Sequence, residues 1–168
     1  GTGVGCTDLL YGMVTGKSWV LVPETVKFNL VGKLPEGVYA RDLIWTIIGT
    51  IGANGCNYQV MEFTGEGAKT LSISERMVLC NMAVEAGAKT GIFEPDEKAI
   101  EYLEAHGRKP KALFTSDPDA VYAREYTFDL STIRPVVAKP DFVDNLVPAE
   151  EVRGVKIDEA FLGSCNNG

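Results

Sequence analysis

The sequence predicts an α/β fold, a three-layer α/β/α domain with a mainly parallel sheet. Three observations carry that prediction. Short runs rich in β-branched and aromatic residues, such as VKFNLVG (26–32) and YQVMEF (58–63), recur along the chain. Between them lie longer stretches with helical pattern, such as 40–53 and the segment that follows Glu75. Strands that alternate with helices pack most readily as a parallel sheet with helices against it. The third observation is bulk: 168 residues, 45% hydrophobic and 23% charged, are enough for a sizeable core.

In chain order, GTGVGCTDLLYGMVTG is a glycine-rich lead-in and a short helix closed by Gly16. Its G-x-G-x-G pattern is a weak phosphate-loop signal, because no strand precedes it and no Lys-Ser/Thr follows. Close helix packing around the glycines is the plainer reading. SWVLV (18–22) and VKFNLVG (26–32) read as strands separated by Pro23, and KLPEGVYARD turns into a helix over roughly 40–53 that ends at Asn54-Gly55. YQVMEF (58–63) is the next strand. GEGAKTLSISER is a loop with Ser74 as N-cap of the following helix. KTGIF (89–93) is a short buried strand, and Pro95 starts a polar helix ended by Gly107. Residues 108–124 are irregular. REYTFDL (124–130) is a strand, 131–153 is a linker-like excursion punctuated by Pro135, Pro140 and Pro148, and VKIDEAFLG (155–163) is a last strand running into GSCNNG.

The net charge of −7 argues against nucleic acid or an anionic membrane surface as partner. No apolar run is long enough to span a bilayer, and no basic-then-apolar leader is present. A single histidine, His106, excludes a centre built on several histidines within this stretch. Four cysteines occur, at positions 6, 56, 80 and 165, with no C-x-x-C pair. Cys6, Cys56 and Cys80 are expected to be buried thiols in a reducing, cytoplasmic setting. The chain starts without methionine and stops in a glycine-rich loop, which suggests a piece of a longer protein.

Two places are candidates for chemistry. The first is the helix in ERMVLCNMAVEAGAKTGIF (75–93), which looks apolar all round except for Asn81 and Glu85, four apart on one face. Buried, they would need partners, with Arg76 the natural one for Glu85. Alternatively, the face lines a polar cavity where Glu85 helps hold a ligand or a metal-bound group. The second is FLGSCNNG (161–168). A cysteine in a Gly/Ser/Asn loop after a strand lies where open α/β sheets bind ligands, and a thiolate there serves as nucleophile or metal ligand. A nucleophile needs a base, and His106 is the sole histidine; a structural cysteine is the plain alternative.

These residues carry a resemblance. GSCNNG resembles the G-S-C-T-N motif of the aconitase superfamily, and MVLCNMAVEAGAKTGIFEPDE resembles that family's T-I-C-N-M-x-x-E-x-G-A segment. The spacing between them and VGKLPEGVYARDLIWTIIG also match, so the resemblance covers essentially the whole chain. F-E-P-D-E and the first forty residues look closest to the branch of 3-isopropylmalate dehydratase large subunits and archaeal homoaconitase-like proteins. The resemblance implies a middle domain over 1–148, with 149–168 opening the next domain. It implies Cys165 as first ligand of a [4Fe–4S] cluster. It also implies that Asn81 and Glu85 are presented to the cluster and the substrate, with Asn81 donating to the cluster. Asn166 stands where the family usually has threonine.

The implied reaction of the whole protein is a hydro-lyase isomerisation of 2-isopropylmalate and 3-isopropylmalate in leucine biosynthesis, with homoaconitate or aconitate as alternatives. The implied partner is a small, swivelling subunit. The family's G-D-S-H-T motif and C-x-x-C pair lie outside this stretch, so it is expected to hold no stable cluster and show no activity by itself. The rival readings are a non-catalytic remnant that binds a partner and an RNA-binding relative, which the charge disfavours.

Overall fold

The structure, a computed structural model, describes residues 2–163. Its centre is a four-stranded parallel sheet in the order β3-β2-β1-β4, built from β1 (Thr25–Val31), β2 (Val60–Thr64), β3 (Thr90–Phe93) and β4 (Arg124–Asp129). Alternation explains why β1 sits in the middle. Val26, Phe28 and Leu30 point to one face and are fully buried, with Met61 and Phe63 of β2 beside them. Phe28 lies 5.5 Å from the rings of both Phe63 and Tyr126, so one side chain ties three strands together. Its burial stabilises the fold by roughly 1.5–3 kcal/mol.

Helix α2 (Ala40–Ile51) covers that face with Leu43, Ile44, Ile47 and Ile48, an apolar stripe at helical spacing. It starts where Asp42 accepts a hydrogen bond from the Tyr39 N–H at 3.0 Å, and it ends at Gly52 rather than at Asn54-Gly55. Helix α4 (Ile73–Met82) packs beside it with Val78, Leu79 and Met82. The polar face of the sheet is crossed by the connection from α5 (Glu97–Ala105) to β4. Glu62 accepts there from Ser116 Oγ and Tyr122 Oη, each at 2.9 Å, and the Lys27 ammonium sits over the Tyr122 ring. A mainly parallel sheet flanked by helices is the α/β architecture expected from the sequence.

Several local expectations are corrected. The 18–22 run forms no strand; Trp19, Val20, Leu21 and Val22 are exposed. Strand preference expresses a fit to a half-buried pleated surface, and no neighbouring strand receives this run. The same holds for 155–163, which is irregular, with Val155, Ile157, Phe161 and Leu162 exposed. The 131–153 excursion is structured: β5 (Val136–Ala138) and β6 (Leu146–Pro148) form an antiparallel hairpin. Asp42 of α2 accepts from the Val136 N–H at 3.1 Å, and Asp144 accepts from the Ala53 N–H at 3.1 Å, which fastens the hairpin to α2. Part of the loop before α4 is a short helix, α3 (Glu66–Thr70). Gly65 makes that turn possible. Its φ is +94°, and a Cβ there would run into Leu30 O and Asn29 Oδ1. The lead-in helix α1 (Cys6–Thr15) exists and closes at Gly16, but it buries no residue, and of the lead-in glycines described only Gly3 is closely packed, where a Cβ would stand 2.9 Å from Val84 Cγ2.

Candidate active-site helix

Helix α4 begins two residues earlier than expected. Ser72, not Ser74, is the N-cap: its hydroxyl accepts from the Glu75 N–H at 3.3 Å, and the Glu75 carboxylate accepts from the Ser72 N–H at 2.7 Å. The helix turns into a 3₁₀ segment over Ala83–Ala86 and stops at Gly87, whose φ is +76°. Asn81 therefore lies in the last α-helical turn and Glu85 in the tighter coil after it.

The expectation that this helix has no wet face is wrong. Val78, Leu79, Met82, Ala83 and Ala86 go to the core, while Met77, Asn81, Val84 and Glu85 are exposed on the other side. An apolar composition conceals this, because Met77 and Val84 are as hydrophobic as the residues behind them. Neither Asn81 nor Glu85 makes a hydrogen bond or ion pair with any described residue. The buried Arg76–Glu85 pairing is thereby overturned.

Arg76 is held elsewhere. It is the one charged residue in the described core, 5% exposed, and it forms a two-pronged ion pair with Asp96: Nη1 to Oδ1 at 2.8 Å and Nη2 to Oδ2 at 2.6 Å. Its guanidinium also lies 5.7 Å from the centre of the Phe93 ring. Sequence reading missed Asp96. The signal was an aspartate placed three residues before an alanine at the start of a polar helix, an N-cap pattern. The Arg76 guanidinium, donating hydrogen bonds to Asp96, holds that carboxyl below its usual range; the Ala99 N–H adds to the effect.

Beside Asn81 opens a mostly apolar cleft of about 340 Å³ between α4, the end of β3 and α5. Ile73, Met77, Cys80, Phe93 and Ala99 line it.

The three described cysteines form no common cluster with other metal-binding side chains. Cys6 is exposed, Cys80 half-buried and Cys56 buried, so the expectation of three buried thiols holds for Cys56 alone. Burial pushes the Cys56 thiol up to about 11 and the Cys80 thiol upward, which keeps both protonated near neutrality. Among the described residues no group of three or more His, Cys, Asp or Glu side chains is placed to hold a metal ion. The described residues therefore do not by themselves fit an iron–sulfur cluster. Cys165 and its loop lie outside them. No described helix is long and apolar enough to cross a membrane.

The model of the aconitase family (aconitate hydratase) matches residues 1–154. Among curated proteins, the chain is 48% identical over 167 residues to 3-isopropylmalate dehydratase large subunit 1 of Methanopyrus kandleri. It is 50% identical over 167 residues to the 3-isopropylmalate dehydratase large subunit of Heliobacterium modesticaldum. A protein of Methanothermobacter thermautotrophicus, named probable methanogen homoaconitase large subunit, is 47% identical over 168 residues. Each match takes in 99% of this chain and 39–40% of the relative, so the chain spans about two-fifths of the length of the relatives it matches. A family match over nearly the whole chain, on a parallel sheet whose α4 turn presents Asn81 and Glu85, shows that this chain belongs to the aconitase family.

Proposed function

We propose that this chain is the middle-domain portion of a hydro-lyase large subunit that interconverts 2-isopropylmalate and 3-isopropylmalate by removing and re-adding water. The observation that carries the proposal is the state of Asn81 and Glu85. Both stand exposed and unpartnered at the end of a helix whose other side is core. Polar side chains left free on such a turn are available to a ligand or a neighbouring surface rather than to this fold. The relatives bearing the dehydratase name supply the reaction class; the homoaconitase relative supports the longer hydroxy-tricarboxylate as second substrate class.

In this reading the Glu85 carboxylate accepts a hydrogen bond from the substrate hydroxyl and fixes its orientation, and the Asn81 amide holds the group beside it. Cys165 is assigned as this chain's single ligand to a [4Fe–4S] cluster of the whole protein, whose remaining ligands come from outside this stretch. The boundary near residue 148 separates the middle domain from the segment that carries Cys165. The relatives are named as large subunits, and the proposed partner is accordingly a small subunit.

Glu85→Gln in the whole protein tests the site. It keeps the shape and removes the charge, so kcat should fall on the order of a hundredfold or more with the circular dichroism spectrum unchanged. Wild-type turnover in that variant sinks the assignment. Cys165→Ser should lower iron and sulfide per chain together with activity; unchanged iron and sulfide would remove Cys165 from the ligand set.

A further inference from the structure

Asn81 on α4, and Glu85 on the 3₁₀ segment that continues it, follow an ion pair on the same helix: Arg76, about one and a half turns before Asn81, is buried, and its partner Asp96 is partly exposed. Arg76 donates to both carboxylate oxygens of Asp96, and Asp96 Oδ1 also accepts from the Ala99 N–H at 3.1 Å to cap α5. Phe93, at the end of β3, lies against the guanidinium. Arg76 Nε makes no hydrogen bond to the chain, so Asp96 is what holds the guanidinium in place. Three elements therefore meet at one side chain: α4, the end of β3 and the start of α5. A planar fork bonded to both oxygens fixes distance and direction at once, which an ammonium would not do.

We infer that Arg76 and Asp96 are positioning residues for the proposed reaction: they set how α4 lies against β3 and α5, and so where Asn81 and Glu85 stand. Both side chains border the cleft of about 360 Å³ beyond the ends of β2 and β3, and Arg76 also borders the cleft beside Asn81, but the two are bonded to each other. Arg76 is 5% exposed and its charge is spent on Asp96, so it has no part in ligand charge recognition. The rest of α4 is seated by apolar contact, which tolerates sliding; the fork supplies the directional hold. The inference rests on the assignment of Glu85 to the active site.

The test is a double-mutant cycle in the whole protein, assayed on 3-isopropylmalate with its small subunit. Arg76→Met alone is expected to lower kcat on the order of tenfold to a hundredfold, the range a displaced catalytic group produces, with KM little changed. Arg76→Lys should recover only part of that. In a Glu85→Gln background Arg76→Met should cause little further loss, because a helix that no longer carries the working carboxylate has nothing left to misplace. Should Arg76→Met fail to fold, Asp96→Asn, which keeps a capping oxygen and removes only the charge, carries the same cycle. Losses that multiply in the double variant would overturn positioning, as would wild-type kcat in Arg76→Met beside an impaired Glu85→Gln. If Glu85→Gln itself turns over normally, the site assignment has failed and the clamp's catalytic role falls with it.

Discussion

Asp96 caps α5 and binds the buried Arg76 at the same time, so one carboxylate bears on two helices. Its folded pKa is lowered. The stability it contributes is therefore present above the ordinary carboxylate range and is lost as pH falls through its folded value. An acid titration of thermal stability should show this loss in the wild type and a flatter profile in Asp96→Ala. That variant should also be less stable by about 3 kcal/mol at neutral pH, since it leaves a buried guanidinium uncompensated. Equal acid sensitivity in both would show that the pair does not drive the effect. The sequence singled out Asn81 and Glu85 as candidates, because a four-residue interval on a helix suggests a shared face, and it named Arg76. It did not reveal Asp96, because Arg76 and Asp96 are joined through a strand and a turn. Nor did it show which side of α4 is wet, since that depends on what lies opposite Met77 and Val84.

At the level of elements, Gly91 sets how closely α4 lies on the sheet. A Cβ at that position would stand 2.8 Å from Cys80 Cα and 3.3 Å from Ala83 Cβ, against backbone that cannot turn aside. Gly91→Ala should destabilise the fold by roughly 1–3 kcal/mol, as overpacking does, with the denaturant midpoint as the measure. A midpoint equal to that of wild type would mean that α4 has room to lift. The sequence disclosed all four strands of the central sheet and helices α1, α2, α4 and α5, each from its composition, period or flanking Gly and Pro. The β5–β6 hairpin escaped because three-residue strands between prolines have no period to read, and its attachment to α2 through Asp42 and to Ala53 through Asp144 is a tertiary matter. The runs at 18–22 and 155–163 misled for the converse reason. Their composition suits a sheet, but the four-stranded sheet ends at β3 and β4 without them.

For the whole molecule, the class of fold was legible because strands and helices alternate, whereas the order of the strands was not. That order places the first strand at the centre and the fourth beside it. β1 meets β2 after one helix, but Asn29 faces Thr127 across a separation of 98 residues. Closing so long a loop costs more chain entropy than closing the β1–β2 connection, and the cost precedes any gain from contact. The assembly of the chain in time follows from this. β1, α2, β2 and α4 should form the folding nucleus, and β4 should join after the barrier is crossed. Phe63→Leu should then slow refolding, while Phe128→Leu should leave the refolding rate nearly unchanged and speed unfolding, as read from the two arms of a chevron plot. If Phe128→Leu slows refolding as much as Phe63→Leu does, β4 is already docked at the barrier. On the proposed order, the last strand to arrive is the one whose arrival turns β1 from an open edge into an interior strand. Docking moves the free backbone edge from β1, whose alternate side chains Val26, Phe28 and Leu30 are all apolar, to β4, where Arg124, Glu125 and Asp129 stand exposed, so the edge that pairs most readily with another copy is replaced by a charged one.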